Sequence, residues 1–217
     1  MKILALEFSS DLRSAAVHTG LSSPICAREN APRECGPMAL IERALGDAQV
    51  EREEIDCVTV GLGPGSYTGI RAAIAVAQGW QLAREVRLLG LSSMEVLAEQ
   101  IHATGMRGRV NLVVDAQRGE VYWAQYLIVT EGCQTVEPLR LAKWDHLRPV
   151  TEKGEPLFGP DPAMADRGVR MLTPNAAFLA IVAARRDDRM APEALEPIYL
   201  RIPSFVKAPP SRVIPKN

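Results

Sequence analysis

The chain has 217 residues, of which 47% are hydrophobic and 24% charged, with a formal net charge of -1. That length allows one large domain or two compact halves with a core big enough to need no disulfide or metal. The charge balance argues against a chain that holds nucleic acid by itself, which carries a basic excess, and aromatics at 5% supply few rings for a single-strand stacking platform.

Residues 3–8 form a short apolar run that reads as a buried strand, and it reaches Glu7 too soon for the core of a signal peptide. Ser9-Ser10-Asp11 is turn chemistry, and residues 14–18 return as the second strand of a hairpin. Residues 24–30 give a weaker third strand. Gly36-Pro37 punctuates the chain, and proline suits the first turn of a helix, where its missing N–H costs nothing. Met38, Ile41, Ala44, Leu45 and Ala48 follow at spacings of three and four, one face of that helix. Residues 57–60 are a buried strand, a glycine-rich stretch covers 61–69, and a helix runs from about 70 to 84. Residues 88–91 form another strand. Ser92 caps a helix to about 103, with Glu95 three residues on as in a capping box.

Gly105 to Gly108 reads as a joint. Beyond it, residues 110–114 form a strand ending at Asp115, Gln117-Arg118-Gly119 turns the chain, and residues 121–129 return as a long strand. Both halves therefore open alike, with an apolar strand, an acidic residue, a polar turn and a second strand, which suggests a duplicated αβ unit. The second half is poorer: a helical turn over 144–148, short strands at 157–159 and 169–172, and a helix over 175–186 with Pro174 at its start and Arg185-Arg186 at its C-terminal end. The expected division is 1–106, 107–201 and a tail, 202–217, whose prolines argue for an extended or disordered segment. From Tyr199 onward the tail carries Arg201, Lys207, Arg212 and Lys216 and no acidic side chain; such an end can reach a phosphate backbone or an acidic partner surface, but the preferred reading is a plain solvated tail.

The segment Val60-Gly61-Leu62-Gly63-Pro64-Gly65-Ser66-Tyr67-Thr68-Gly69-Ile70-Arg71 follows a strand and opens a helix. Glycine permits positive φ and close backbone approach, Ser66 or Thr68 can cap the helix, and the N–H groups there can hold an anion. Gly63, Gly65, Ser66, Thr68 and, from the second half, Asp115 are thus candidates for an anion or nucleotide contact. The P-loop and dinucleotide patterns both fail: Gly69 precedes Ile70 rather than Lys, and Thr68 stands where the dinucleotide pattern needs its third glycine. A tight strand-to-helix connection, in which Gly65 and Gly69 let the helix pack close, explains the segment equally well. Asp115 suits a turn cap as well as it suits a general base or magnesium ligand. The helix that follows, with Ala72 to Ala77, is apolar nearly all round and must be covered on most sides, by the chain itself or by a partner.

The run from Gly61 to Arg71 closely resembles the signature of the TsaB (YeaZ) family. Ile3-Leu4-Ala5-Leu6-Glu7 resembles the family's first strand, Asp115-Ala116-Gln117-Arg118-Gly119-Glu120-Val121-Tyr122 its second hairpin, and Glu196-Pro197-Ile198-Tyr199-Leu200-Arg201 its C-terminal signature. The four matches are collinear and span nearly the whole chain. The resemblance implies an α/β, actin-like ATPase (RNase H-like) fold with two related subdomains, the second reduced. It implies a non-catalytic subunit that works beside a TsaD-type catalytic subunit and a TsaE-type ATPase in transferring threonylcarbamoyl to the adenosine beside the anticodon of tRNA, which it meets through the complex. In such a family, paired helices of the first subdomain meet the equivalent pair of the catalytic subunit. Met38, Ile41, Leu45, Ala73 and Ala77 are the expected partner face, and self-pairing as a homodimer is expected when the chain is alone. Two positions depart from the family's pattern: Glu7 stands where Asp is usual, a position near metal-bound phosphate in actin-like ATPases, and Cys35 stands where His is frequent.

His18, His102 and His146 form no HxxxH or HExxH pair, so the paired-histidine metal site of the catalytic relatives cannot form locally. Cys26, Cys35, Cys57 and Cys133 make no CxxC pair and suit reduced thiols in a cytoplasmic protein. No apolar run reaches 18 residues, so no membrane span is expected. No metal, no catalytic residue and no firmly bound cofactor are expected on the isolated chain, with ATP or ADP a candidate ligand at the complex. The competing classes are a self-sufficient actin-like phosphotransferase or hydrolase, opposed by Glu7 and the small second half, and a metallopeptidase, opposed by the missing histidine pair.

Overall fold

A computed structural model describes residues 1–29, 36–186 and 195–200. The first half contributes β1 (Ile3–Glu7), β2 (Ser14–His18), β3 (Ile25–Arg28), α1 (Pro37–Ala48), β4 (Cys57–Gly61), α2 (Tyr67–Ala83), β5 (Arg87–Leu91) and α3 (Ser93–Ala103). The second contributes β6 (Gly108–Asp115), β7 (Glu120–Val129), β8 (Gly132–Lys143), α4 (Arg148–Glu152), β9 (Leu157–Gly159), β10 (Val169–Met171) and α5 (Ala176–Ala184), with short 3-10 turns at Trp144–Leu147 and Pro162–Arg167.

The two halves build sheets of the same order and direction. The first runs β3-β2-β1-β4-β5 and the second β8-β7-β6-β9-β10. In each, the opening hairpin is antiparallel, from Glu7↔Ser14 in one and Asp115↔Val121 in the other, and the later strands lie parallel to the first. The duplication suggested by the two acid-tipped hairpins is therefore carried through all ten strands. The helices are where the second half is reduced. The 17-residue α2 between β4 and β5 corresponds to a 6-residue 3-10 turn between β9 and β10.

Each sheet is covered on both faces, so its central strands are apolar without alternation. Leu4, Leu6, Phe8 and Val17 face α1 and α2, while Ile3, Ala5, Ala16 and Cys57 face α5. α5 belongs to the second half by sequence, yet it packs on the first sheet. Conversely α3 packs Met94, Leu97, Ala98 and Ile101 on Val110, Leu112 and Ala124 of the second sheet. The exchange of helices makes the two halves one body. Between these helices Arg185 donates to Glu99 at 2.6 Å, and Arg186 pairs with Glu95.

That last pair revises the expected capping box. Ser92 does cap α3, accepting from the Met94 N–H at 3.2 Å, but the Glu95 carboxylate is engaged by Arg186 across the helix pair. β8 is a second revision, a 12-residue strand where no strand was expected. It lies at the sheet edge, with half its residues exposed or nearly so, and carries Pro138. Edge strands tolerate both features, and both hide a strand from a hydrophobic pattern. Cys35 and the tail from 201 onward lie outside the described residues.

Candidate functional site

The glycine segment is shaped by the end of β1. Gly65 has φ +155, and a Cβ there would collide with the Ser9 carbonyl oxygen, which already accepts the Ser66 N–H at 2.6 Å. A Cβ at Gly69, one turn into α2, would collide with the Phe8 carbonyl oxygen. At Gly61 it would fall on the Glu7 carboxylate. Three glycines at intervals of four thus let one strand-to-helix connection lie directly on the Glu7 side chain and on the backbone of Phe8 and Ser9. Ser66 caps α2, its hydroxyl accepting from the Gly69 N–H at 3.3 Å.

This packing opens a cleft of about 400 Å³ between the halves. Its walls are the β1–β2 turn (Ser9, Ser10, Asp11), the start of α2 (Gly65, Ser66, Tyr67), the end of β6 (Val114, Asp115, Gln117) and the turn Pro160-Asp161-Pro162. Of the candidate anion contacts, Gly65, Ser66 and Asp115 line it. Gly63 lies behind it, buried, its carbonyl accepting the Ser93 N–H at 2.8 Å, and Thr68 is exposed outside the lining. Asp115 accepts the Gln117 N–H at 2.8 Å, the turn-capping geometry, and Asp161 likewise accepts from Ala163 at 2.8 Å. Among the described residues the lining carries three carboxylates, Asp11, Asp115 and Asp161, and no Lys or Arg. Among the described residues no group of three His, Cys, Asp or Glu is placed to hold a metal ion.

Glu7 does not reach the cleft. It is fully buried, accepting the Ser9 N–H at 3.0 Å and the Ser93 hydroxyl at 3.0 Å. Burial pushes its carboxyl above the ordinary value of 4.5, against the pull of those hydrogen bonds. A folded-state pKa raised above the unfolded one gives stability that is complete below the unfolded value and is lost as pH rises through the folded value. Glu7→Gln removes that loss while keeping an acceptor for Ser9. Its melting temperature is expected to rise relative to wild type between pH 5 and pH 8 and to converge with it at pH 4. Parallel melting curves across that range would contradict the burial of an ionisable Glu7.

The expected partner face needs correction. Ile41, Leu45, Ala73 and Ala77 are buried in the chain's own core with Leu4, Leu6 and Val60; of the five residues only Met38, at 44% exposure, faces solvent. The apolar stripe of α1 and the small residues of α2 serve the sheet, which the helical spacing alone does not distinguish from a partner. The outward face consists instead of the next residues round α2. Val76, Gly79, Trp80 and Ala83, together with Met38, form an apolar groove of about 500 Å³ rimmed by Arg52, Glu53 and Arg84. α2 is therefore not covered on most sides: Ala75, Gln78, Gly79, Leu82 and Ala83 are all exposed.

One contact was not foreseeable from either motif alone. The Arg71 guanidinium lies 4.2 Å from the Tyr67 ring centroid, and its Nε donates to the Tyr199 hydroxyl at 2.9 Å. The two tyrosine rings stand 5.8 Å apart, both about half exposed. The glycine-segment signature and the C-terminal signature thus meet as one surface. The signal lay in their shared lack of a core-facing role for Tyr and Arg, but no spacing rule joins positions so far apart.

Comparison with known proteins gives a consistent picture. The family description TsaD, "tRNA N6-adenosine threonylcarbamoyltransferase", matches residues 36–156. The tRNA threonylcarbamoyladenosine biosynthesis protein TsaB of Escherichia coli is 27% identical over 93% of this chain and 95% of its own length. An uncharacterized protein of Mycobacterium bovis is 33% identical over 74% of this chain and 71% of its own. Among solved structures, YeaZ from Pseudomonas aeruginosa superposes with a TM-score of 0.74 at 25% identity, covering 92% of this chain and 99% of that one.

Proposed function

Because this chain belongs to the TsaB (YeaZ) family, with a part in tRNA threonylcarbamoyladenosine biosynthesis, we propose that it serves there as a non-catalytic subunit that binds and activates a TsaD-type paralogue. The observation that carries this reading is the apolar groove of Met38, Val76, Gly79, Trp80 and Ala83 between α1 and α2. A half-buried Trp beside exposed small residues, ringed by charges, is the composition of an interface centre with a polar rim. The same patch is available for self-pairing when the paralogue is absent, as an isologous contact requires.

The non-catalytic part of the reading is supported by the acid at the end of β1. Glu7 is buried between Ser9 and Ser93, turned away from the cleft in which an actin-like enzyme would hold a metal-bound phosphate. Under this reading ATP or ADP is met only in the assembled complex, together with a TsaE-type ATPase, and tRNA is contacted through the complex.

Gly79→Arg tests the groove. Gly79 is exposed within α2, and a Cβ there would meet nothing within 4 Å. Replacing a helical glycine should leave folding intact or improve it by up to about 1 kcal/mol. The long charged side chain fills the groove. Association with the purified paralogue, read by calorimetry, is expected to weaken roughly 100-fold, on the order of 2–3 kcal/mol. Unchanged association by a folded variant would move the interface elsewhere.

A further inference from the structure

The Arg71 side chain is braced along its length and uncommitted at its tip. Its guanidinium lies 4.2 Å from the Tyr67 ring centroid and 5.9 Å from that of Tyr199, and its Nε donates to the Tyr199 hydroxyl at 2.9 Å. Tyr199 is fixed in turn by its own segment. Leu195 is buried in the larger core with Leu62, and the Ile198 N–H donates to the Leu62 carbonyl at 2.9 Å. Among the described residues Tyr199 supplies the only hydrogen bond to the guanidinium, and Arg71 is exposed to solvent. The N–H groups of its two terminal nitrogens are left as a planar fork, the shape that receives both oxygens of a carboxylate.

We propose, on the reading that the groove between α1 and α2 docks a TsaD-type paralogue, that Arg71 receives a carboxylate side chain of that same partner. Arg71, Ala75, Gln78 and Leu82 are exposed at spacings of four, three and four, so they form one stripe of α2, and the stripe borders Gly79 of the groove. At 1.5 Å per residue, Arg71 lies about 12 Å from Gly79 along the helix. An interface burying about 800 Å² per partner is roughly 30 Å across, so one partner covers both. Tyrosine and arginine are the residue types that concentrate binding energy at interfaces. A guanidinium already stacked and hydrogen-bonded loses little further freedom on binding. The anion is a single carboxylate rather than a nucleic-acid backbone. Tyr67 walls the cleft that carries Asp11, Asp115 and Asp161, and a chain of phosphates running past Arg71 would meet those charges.

The test measures association of the full chain with the purified paralogue by calorimetry at several salt concentrations. Arg71→Ala should weaken it about 30- to 100-fold. Arg71→Lys keeps the charge but not the fork and should weaken it roughly tenfold. Tyr199→Phe keeps both rings, removes only the brace on Nε, and should weaken it about threefold. All three should melt within about 2 °C of wild type. Arg71→Ala should also flatten the fall of affinity with salt, which a loss of packing alone would not do. Wild-type affinity in Arg71→Lys would overturn the fork. If Gly79→Arg abolishes association while Arg71→Ala leaves it unchanged, the groove stands and this anchor falls. Sedimentation of the chain alone and tRNA binding by the assembled complex separate the other occupants. An Arg71→Ala effect on either of these, with association with the paralogue unchanged, would overturn the proposal in favour of a second copy or a phosphate.

Discussion

Gly65→Val is expected to abolish the cooperative fold, and Gly69→Val to do the same. Both positions face backbone, so no side chain can swing away: Gly65 lies against the Ser9 carbonyl and Gly69 against that of Phe8. At Gly65 the backbone also sits at φ +155, which a β-branched residue resists. Strain at such a φ costs about 1–3 kcal/mol, and overpacking about 1–3 kcal/mol more when neighbours can relax. Here they relax only if α2 moves off β1, which separates Ile70, Ala73 and Ile74 from Leu6 and Phe8 in the larger core. With that loss of core packing added, the total reaches the lower end of a typical domain's stability, about 5–15 kcal/mol. Gly79→Val in the same helix is the control. Its Cβ meets open space, and its melting temperature should stay within a few degrees of wild type. Urea denaturation of the three variants measures this directly. A Gly65→Val chain with the wild-type midpoint would mean that the connection does not lie on Ser9 as described.

The glycines illustrate what sequence reading can reach. That Gly65 and Gly69 admit a close helix was legible, because glycine has few other uses at a strand-to-helix turn. What they admit was not, since Phe8 and Ser9 lie more than fifty positions away. The hairpins at Glu7 and Asp115 were legible from local alternation and turn residues, and they disclosed the duplication. The exchange of α3 and α5 between sheets was not, because an apolar helix face records that it is covered but not by which sheet. The same ambiguity misplaced Ile41, Leu45, Ala73 and Ala77, whose periodicity fits core and interface equally well. β8 failed for the opposite reason: an edge strand needs little apolar pattern and tolerates a proline such as Pro138, so little in the sequence marks it. Glu7 was read as a departure at a ligand position. Its actual partners, Ser9 and Ser93, hold it in the interior, where the extra methylene relative to Asp fills the space that Gly61 leaves.

Ile41→Glu and Met38→Glu should part company although they lie one turn apart on α1. Ile41 is fully buried among Leu40, Ala44 and Leu45 and the first sheet, whereas Met38 is 44% exposed at the edge of the groove. A carboxylate at position 41 loses its hydration without gaining a counterion, an effective penalty of several kcal/mol. The lost isoleucine packing adds about 2–5 kcal/mol on the scale of large-to-small core substitutions. Together these exceed a marginal fold, so Ile41→Glu should show no cooperative melting at pH 7. Its introduced carboxyl, forced to a raised pKa by burial, should recover some structure as pH falls towards 4, since protonation removes the charge. At position 38 the carboxylate stays in water, and the melting temperature should change by no more than about 2 °C. What Met38→Glu should lose is association with the paralogue, because it sets a second carboxylate beside Glu53 on the groove and takes away a flexible apolar contact. Circular dichroism and a binding titration on the two proteins decide the matter. An Ile41→Glu protein that melts like wild type but no longer associates would place Ile41 on the surface after all, and the core between α1 and the first sheet would have to be redrawn.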